Sequence, residues 1–139
     1  MNWNIYFQAF TVRTWRKRLS NLNTYHNLRK LQSTHGGSDP GKISTSGVME
    51  KDVNLSIAMA LKQLFENRGF TVVMTRTTDC DLAPDNSKHP KTDDLTKRTV
   101  LMSRSNVAVS ISIHQNSFED NSSCGPQVLS LIHISEPTR

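Results

Sequence analysis

The chain has 139 residues, 35% of them hydrophobic, and carries a net charge of +5, which allows one domain with a modest core. No run approaches the roughly 18 consecutive apolar residues that a membrane span needs. The two cysteines, Cys80 and Cys124, form neither a disulfide framework nor a metal-spacing pair, so they exclude no redox compartment.

Charge is unevenly spread. Residues 1–34 hold six basic side chains (Arg13, Arg16, Lys17, Arg18, Arg29 and Lys30) and no acidic one, and the remainder is near neutral. In this head "IYFQAF" precedes "RTWRKR", the reverse of a signal peptide, and no periodicity is sustained. The preferred reading is an unstructured or misassigned head over residues 1–33. A nucleic-acid-binding arm through residues 1–34, or a membrane-surface helix, is the alternative. "YHNLRKLQST" is too polar and basic for a buried strand, so none is expected before His35.

Beyond the head, "THGGSDPG" reads as a loop. In "KDVNLSIAMALKQLFENRGF", Ile57, Ala58, Leu61, Leu64 and Phe65 recur at helical spacing and predict one buried stripe. Lys51, Lys62, Glu66 and Asn67 should face water, and Gly69 suits the helix C-terminus. "FTVVMTR" predicts a parallel strand buried on both faces. After a polar loop, Thr92 can cap a second helix whose Asp93 and Asp94 favour its N-terminal dipole. Asn106 to His114 predicts a further strand with Val109, Ile111 and Ile113 on one face.

Helix, strand, helix, strand implies an α/β fold: a mainly parallel twisted sheet with flanking helices. Ligands in such sheets gather outside the carboxyl ends of the strands. His35, Glu50 and His114 could there form a three-donor zinc site that keeps a fourth position for water. Each also has a plainer reading: His35 as a loop histidine, Glu50 as a helix N-terminal charge, His114 as a hydrogen-bonded histidine at a strand end.

"HGGSDPG", "GVMEKDVNL", "VVMTR", "DDLTKR" and "SISIHQNS" follow one another in an order that resembles the zinc-dependent N-acetylmuramoyl-L-alanine amidases of the amidase-3 type, most of all the form that acts on spore cortex. The resemblance covers roughly Thr34 to Val128. It implies zinc (Zn2+) on His35, Glu50 and His114 and a substrate contact at Asn116; Arg76 and Arg98 match motif positions whose role is structural or substrate-binding, with structural preferred for both. It also implies hydrolysis of the amide between N-acetylmuramic acid and L-alanine in peptidoglycan, in the cell envelope or outside the cell, with no nucleic acid involved. A non-catalytic peptidoglycan-binding domain and a different zinc hydrolase remain alternatives.

The chain departs from the family pattern at both ends. The family enters its first motif through an apolar strand and an Asp-x-Gly-His turn, where this chain has "LQSTHGG". The last eleven residues, "LSLIHISEPTR", resemble the translation of a sequencing-library adapter, so native sequence is expected to stop near Val128, and His133 and Glu136 are assigned no role. The resemblance implies a further glutamate near the C-terminus as general base, in that replaced part. Glu119 and Asp120, just after the His114 motif, are in the wrong place for it and read as a solvated loop. The expectation is a partial catalytic domain over residues 34–128, incomplete at both ends and inactive as it stands.

Overall fold

The computed structural model describes residues 3–10, 28–103, 107, 109–117 and 127–130. Five strands, β1 (Trp3–Phe10), β2 (Leu28–Ser33), β3 (Thr71–Met74), β4 (Val109–Ser117) and β5 (Gln127–Ser130), form one sheet in the order β3-β2-β4-β1-β5. β2 pairs in parallel with β3 and β4, β1 pairs in parallel with β5, and β1 and β4 are antiparallel. Helix α1 (Glu50–Glu66) lies against β2, β3 and β4, and α2 (Pro90–Ser103) lies against β2. This is the mainly parallel α/β arrangement that the pattern implies. No helix among the described residues is long and apolar enough to cross a membrane.

The expectation that no strand precedes His35 is corrected. Leu28–Ser33 sits between β3 and β4, with Lys30, Leu31 and Ser33 buried. Its polar composition is tolerated because its charges have partners. The Lys30 ammonium donates to the carbonyls of Leu101 and Met102, two of the orphan acceptors at the end of α2. Arg29 stacks 4.1 Å from the centre of the Phe70 ring. Two of the six basic residues of the supposed nucleic-acid arm are therefore engaged in the fold. Trp3–Phe10 is likewise a strand rather than unstructured, whereas residues 11–27, with the other four basic residues, lie outside the described part. So do Glu119, Asp120, Cys124, His133 and Glu136.

α1 starts at Glu50 behind an extended Met49, and Gly69, at φ +80°, turns the chain out of it as a C-terminal glycine should. Its buried face keeps Ala58 of the expected stripe, with Ile57, Leu61 and Phe65 half-buried, and adds two polar residues. Glu50, Asn54 and Ala58 are buried, one turn apart, while Leu64 is 51% exposed. Lys51 is not a water-facing residue: its ammonium donates to the Gly37 carbonyl and pairs with Asp79.

β3 is an edge strand in the sheet order, with Val73 43% exposed, so it is not buried on both faces. α2 begins three residues earlier than a Thr92 cap would set it. Pro90 takes the first position, which needs no N–H, and the His89 carbonyl accepts the Asp93 N–H. β4 runs past His114 to Ser117 because β1 pairs along its full length, whereas the ladder to β2 stops at Ser33↔Ile113. Among the described residues, Leu31, Ala58, Val107 and Ile113 are the buried apolar ones, outnumbered by buried polar ones.

Candidate metal centre

The carboxyl ends of the parallel strands bring three elements together. His35 follows β2 by two residues, Glu50 opens α1, and His114 stands where β4 leaves β2. One donor atom from each of the three lies within 4.8 Å of the others.

The His35 turn is held by its backbone. His35 takes φ +58°, in the left-handed region that side-chain-bearing residues seldom adopt. Two buried arginines grip this turn by its carbonyls. Arg98 donates to Ser33 (2.6 Å) and His35 (3.1 Å), with its Nε on Asp94 (2.7 Å). Arg76 donates to Ser33, Thr34, Thr78 and Lys51. Burial and the neighbouring Arg98 lower the Arg76 pKa, with Asp79 opposing. Both guanidiniums face backbone oxygens, in keeping with a structural role.

Beyond His35, Gly36 and Asp39 exchange backbone hydrogen bonds across a tight turn. That turn sets the Asp39 carboxylate 2.8 Å from His35 Nδ1. With Nδ1–H donating to Asp39, the lone pair of Nε2 faces inward. Nothing singled out Asp39 in the sequence, and its signal was the four-residue spacing from His35 within a glycine-rich turn. Gly41, at φ +66°, packs directly on the site: a Cβ there would lie 2.7 Å from Glu50 Oε2 and 2.8 Å from His35 Cδ2.

Glu50 is the buried member, with its side chain 4% exposed. Oε1 accepts the Gln115 N–H at 3.0 Å and lies 3.3 Å from Asn54 Nδ2, while Oε2 accepts the Lys42 N–H at 3.0 Å. Burial works to raise its pKa. His114, His35 and the two backbone donors outweigh that and hold it well below the usual carboxylate range. The same contact with Glu50, opposed by burial and helped by Asp39, raises the His35 pKa.

The spacing can be compared with that of an ion. Tetrahedral zinc with bonds of about 2.1 Å sets its ligands about 3.4 Å apart. Glu50 Oε1 lies 3.4 Å from His35 Nε2 and 3.7 Å from His114 Nδ1, and the two imidazole rings are nearly perpendicular at 85°. Two neutral imidazoles and one ionised carboxylate are a donor set that suits zinc. Asn116, two residues beyond His114, pairs with Asn4 in the β1–β4 ladder, which says nothing of a substrate.

Residues 31–136 match the family described as N-acetylmuramoyl-L-alanine amidase, a span that holds all three donors and reaches into the adapter-like tail. A germination-specific N-acetylmuramoyl-L-alanine amidase of Bacillus subtilis (strain 168) is 36% identical over 100 residues, covering 70% of this chain and 42% of that protein. AmiC, an N-acetylmuramoyl-L-alanine amidase of Neisseria meningitidis serogroup B, is 51% identical over 49 residues, or 35% of this chain and 12% of that one. Among solved structures, the CwlD amidase of Clostridioides difficile, in complex with the GerS lipoprotein, aligns at a TM-score of 0.65 and 32% identity. It covers 70% of this chain and 52% of its own. The catalytic domain of CwlV from Bacillus (Paenibacillus) polymyxa var. colistinus aligns at 0.51 and 25%, covering 70% and 49%. The chain spans only about half, or less, of the length of these relatives.

Proposed function

The chain belongs to the N-acetylmuramoyl-L-alanine amidase family, and from that premise we propose that it carries the zinc-holding part of a hydrolase acting on cell-wall or spore-cortex peptidoglycan. The bond cleaved is the amide between N-acetylmuramic acid and the L-alanine of the stem peptide, outside the cytoplasmic membrane. The observation that carries this reading is the convergence of His35, Glu50 and His114 from three separate elements onto a space the size of one ion.

In this reading His35 Nε2, Glu50 Oε1 and His114 Nδ1 hold zinc and leave a fourth position open. Zinc there would polarise the amide carbonyl and acidify water. The chain's own residues prepare the site. Asp39 fixes the His35 tautomer, the backbone donors of Lys42 and Gln115 keep Glu50 ionised, and Arg76 and Arg98 hold the His35 turn in place. Asn116 contacts substrate. The proton acceptor in this reading is a further glutamate of the family's C-terminal part, and the adapter-like residues 129–139 are given no catalytic role.

Two measurements test this together. Metal analysis and calorimetry on the 139-residue chain should find one zinc, lost in His35→Ala. Mass spectrometry of muropeptides should show release of L-alanine-terminated peptides only when the chain is extended through a late glutamate. Failure to take up zinc, or cleavage of a different bond by the extended chain, would overturn the proposal.

A further inference from the structure

The side of α1 that faces the site buries an amide where an apolar residue would be the ordinary choice. Asn54 is fully buried one turn after Glu50. Its Nδ2 donates to Thr34 Oγ1 at 2.7 Å and lies 3.3 Å from Glu50 Oε1. Its Oδ1 accepts the Gln115 Nε2 at 3.0 Å. Thr34 immediately precedes His35, and Gln115 immediately follows His114. One side chain therefore touches the carboxylate donor itself and the chain neighbours of both histidines.

The contacts close into a ring. The Thr34 hydroxyl in turn donates a hydrogen bond to the carbonyl of Ile113, the residue before His114, at 2.6 Å. The Gln115 backbone N–H returns to Glu50 Oε1 at 3.0 Å. From these contacts we infer that Asn54 is a positioning residue for the metal centre: it sets the separation of the three donor side chains by tying β2, α1 and β4 together behind them. The inference rests on the reading that these three residues hold a metal.

The chemistry selects an amide at this position. Glu50 and Thr34 present acceptors and need a donor, while Gln115 Nε2 is a donor and needs an acceptor. Leucine, of similar size, leaves both sides unpaired in a buried place, at a cost for each orphaned group. Aspartate keeps the acceptor but sets a second carboxylate beside Glu50. Only the amide of asparagine serves both sides at this reach. The contact with the ionised Glu50 also fixes which way the amide points.

The test compares Asn54→Ala with Ala58→Gly in the 139-residue chain. Ala58 is equally buried on the same helix face, one turn further on, and has no part in the ring. Three readouts are taken: zinc affinity by chelator competition, the visible spectrum of the cobalt(II)-substituted protein, and apo stability in urea. Both variants should lose apo stability. Only Asn54→Ala should weaken zinc binding, by about 10- to 100-fold, the usual effect of removing a partner behind a metal ligand, and shift the cobalt bands. Zinc affinity and cobalt spectrum unchanged in Asn54→Ala would overturn the inference and leave Asn54 a packing residue. Should Asn54→Ala fail to fold, Thr34→Val and Thr34→Ser decide. The serine keeps the hydroxyl and should behave as the parent, whereas the valine should bind zinc more weakly, and equal affinities would refute the role. A parent chain that takes up neither metal overturns the metal reading itself, and this inference with it.

Discussion

Gly41 packs directly on the candidate metal centre, and Gly41→Ala tests that. Two costs add there. At φ +66° an alanine sits in left-handed backbone, which costs a side-chain-bearing residue about 1–2 kcal/mol. Its Cβ would also come within 2.7 Å of Glu50 Oε2, 2.8 Å of His35 Cδ2 and 2.9 Å of Glu50 Cβ, so two of the three donor residues must move. Overpacking of this kind costs about 1–3 kcal/mol, for a total of roughly 2–5 kcal/mol. Gly47→Ala separates the two costs. That glycine also has positive φ, +83°, but a Cβ there meets nothing within 4 Å. It should lose only the backbone contribution and keep its zinc affinity. Urea unfolding of the apo chains and zinc calorimetry read both quantities. Gly41→Ala should be the less stable of the two and bind zinc at least about tenfold more weakly, since its donors are displaced. Equal stability and equal affinity in the two variants would refute the claimed packing of Gly41 against the donors.

Acidity and the buried arginines give two further predictions. The raised His35 pKa stabilises the apo chain fully below 6.5, the ordinary value, and that contribution is lost as pH rises through the higher folded value. Zinc needs the Nε2 lone pair, so its affinity should run the opposite way, climbing up to about tenfold per pH unit across that window for one displaced proton. Calorimetry in buffers of different ionisation enthalpy counts that proton, and an affinity flat over roughly pH 6 to 8 would refute the coupling. Arg98→Ala should destabilise the chain by about 3–5 kcal/mol in urea, because it strands the Asp94 carboxylate and frees the carbonyls of Ser33 and His35. A loss below about 1 kcal/mol, the scale of an exposed pair, would show that the arginine does not carry the turn.

What was legible in the sequence and what was not divide along a physical line. His35, Glu50 and His114 could be named because their motifs place donor side chains at the ends of elements. The α/β class followed from Leu61, Phe65, Val72 and Ile113 recurring at helical and strand spacing. β2 was missed because "LRKLQS" buries Lys30 and Ser33, and a lysine reads as exposed unless the carbonyls that receive it are known. The stripe of α1 held at Ala58 but missed its polar members for a similar reason. Apolar spacing favours Leu64, but Glu50 and Asn54 face inward because the groups waiting there are polar. Asp39 carried only the weak signal of its four-residue spacing from His35, and Asn54 was invisible because its partners Thr34 and Gln115 lie on other elements. Composition reports where apolar surface goes, and among the described residues the interior at the carboxyl ends of the strands is polar.

The span of chain between the donors ties the site to the order of folding. Thr34 and Ile113 are hydrogen-bonded across 79 residues, so His114 reaches His35 only after β4 has docked beside β2. Closing so long a loop is among the slower and costlier steps a small domain takes. Until then the early loop offers His35 and Glu50 alone, too few donors for a tetrahedral ion. A metal captured by all three would act after the folding barrier, slowing the unfolding rate rather than speeding assembly. The centre would then work as a latch on a finished sheet, and the rate of metal loss to a chelator would serve as a clock for its opening.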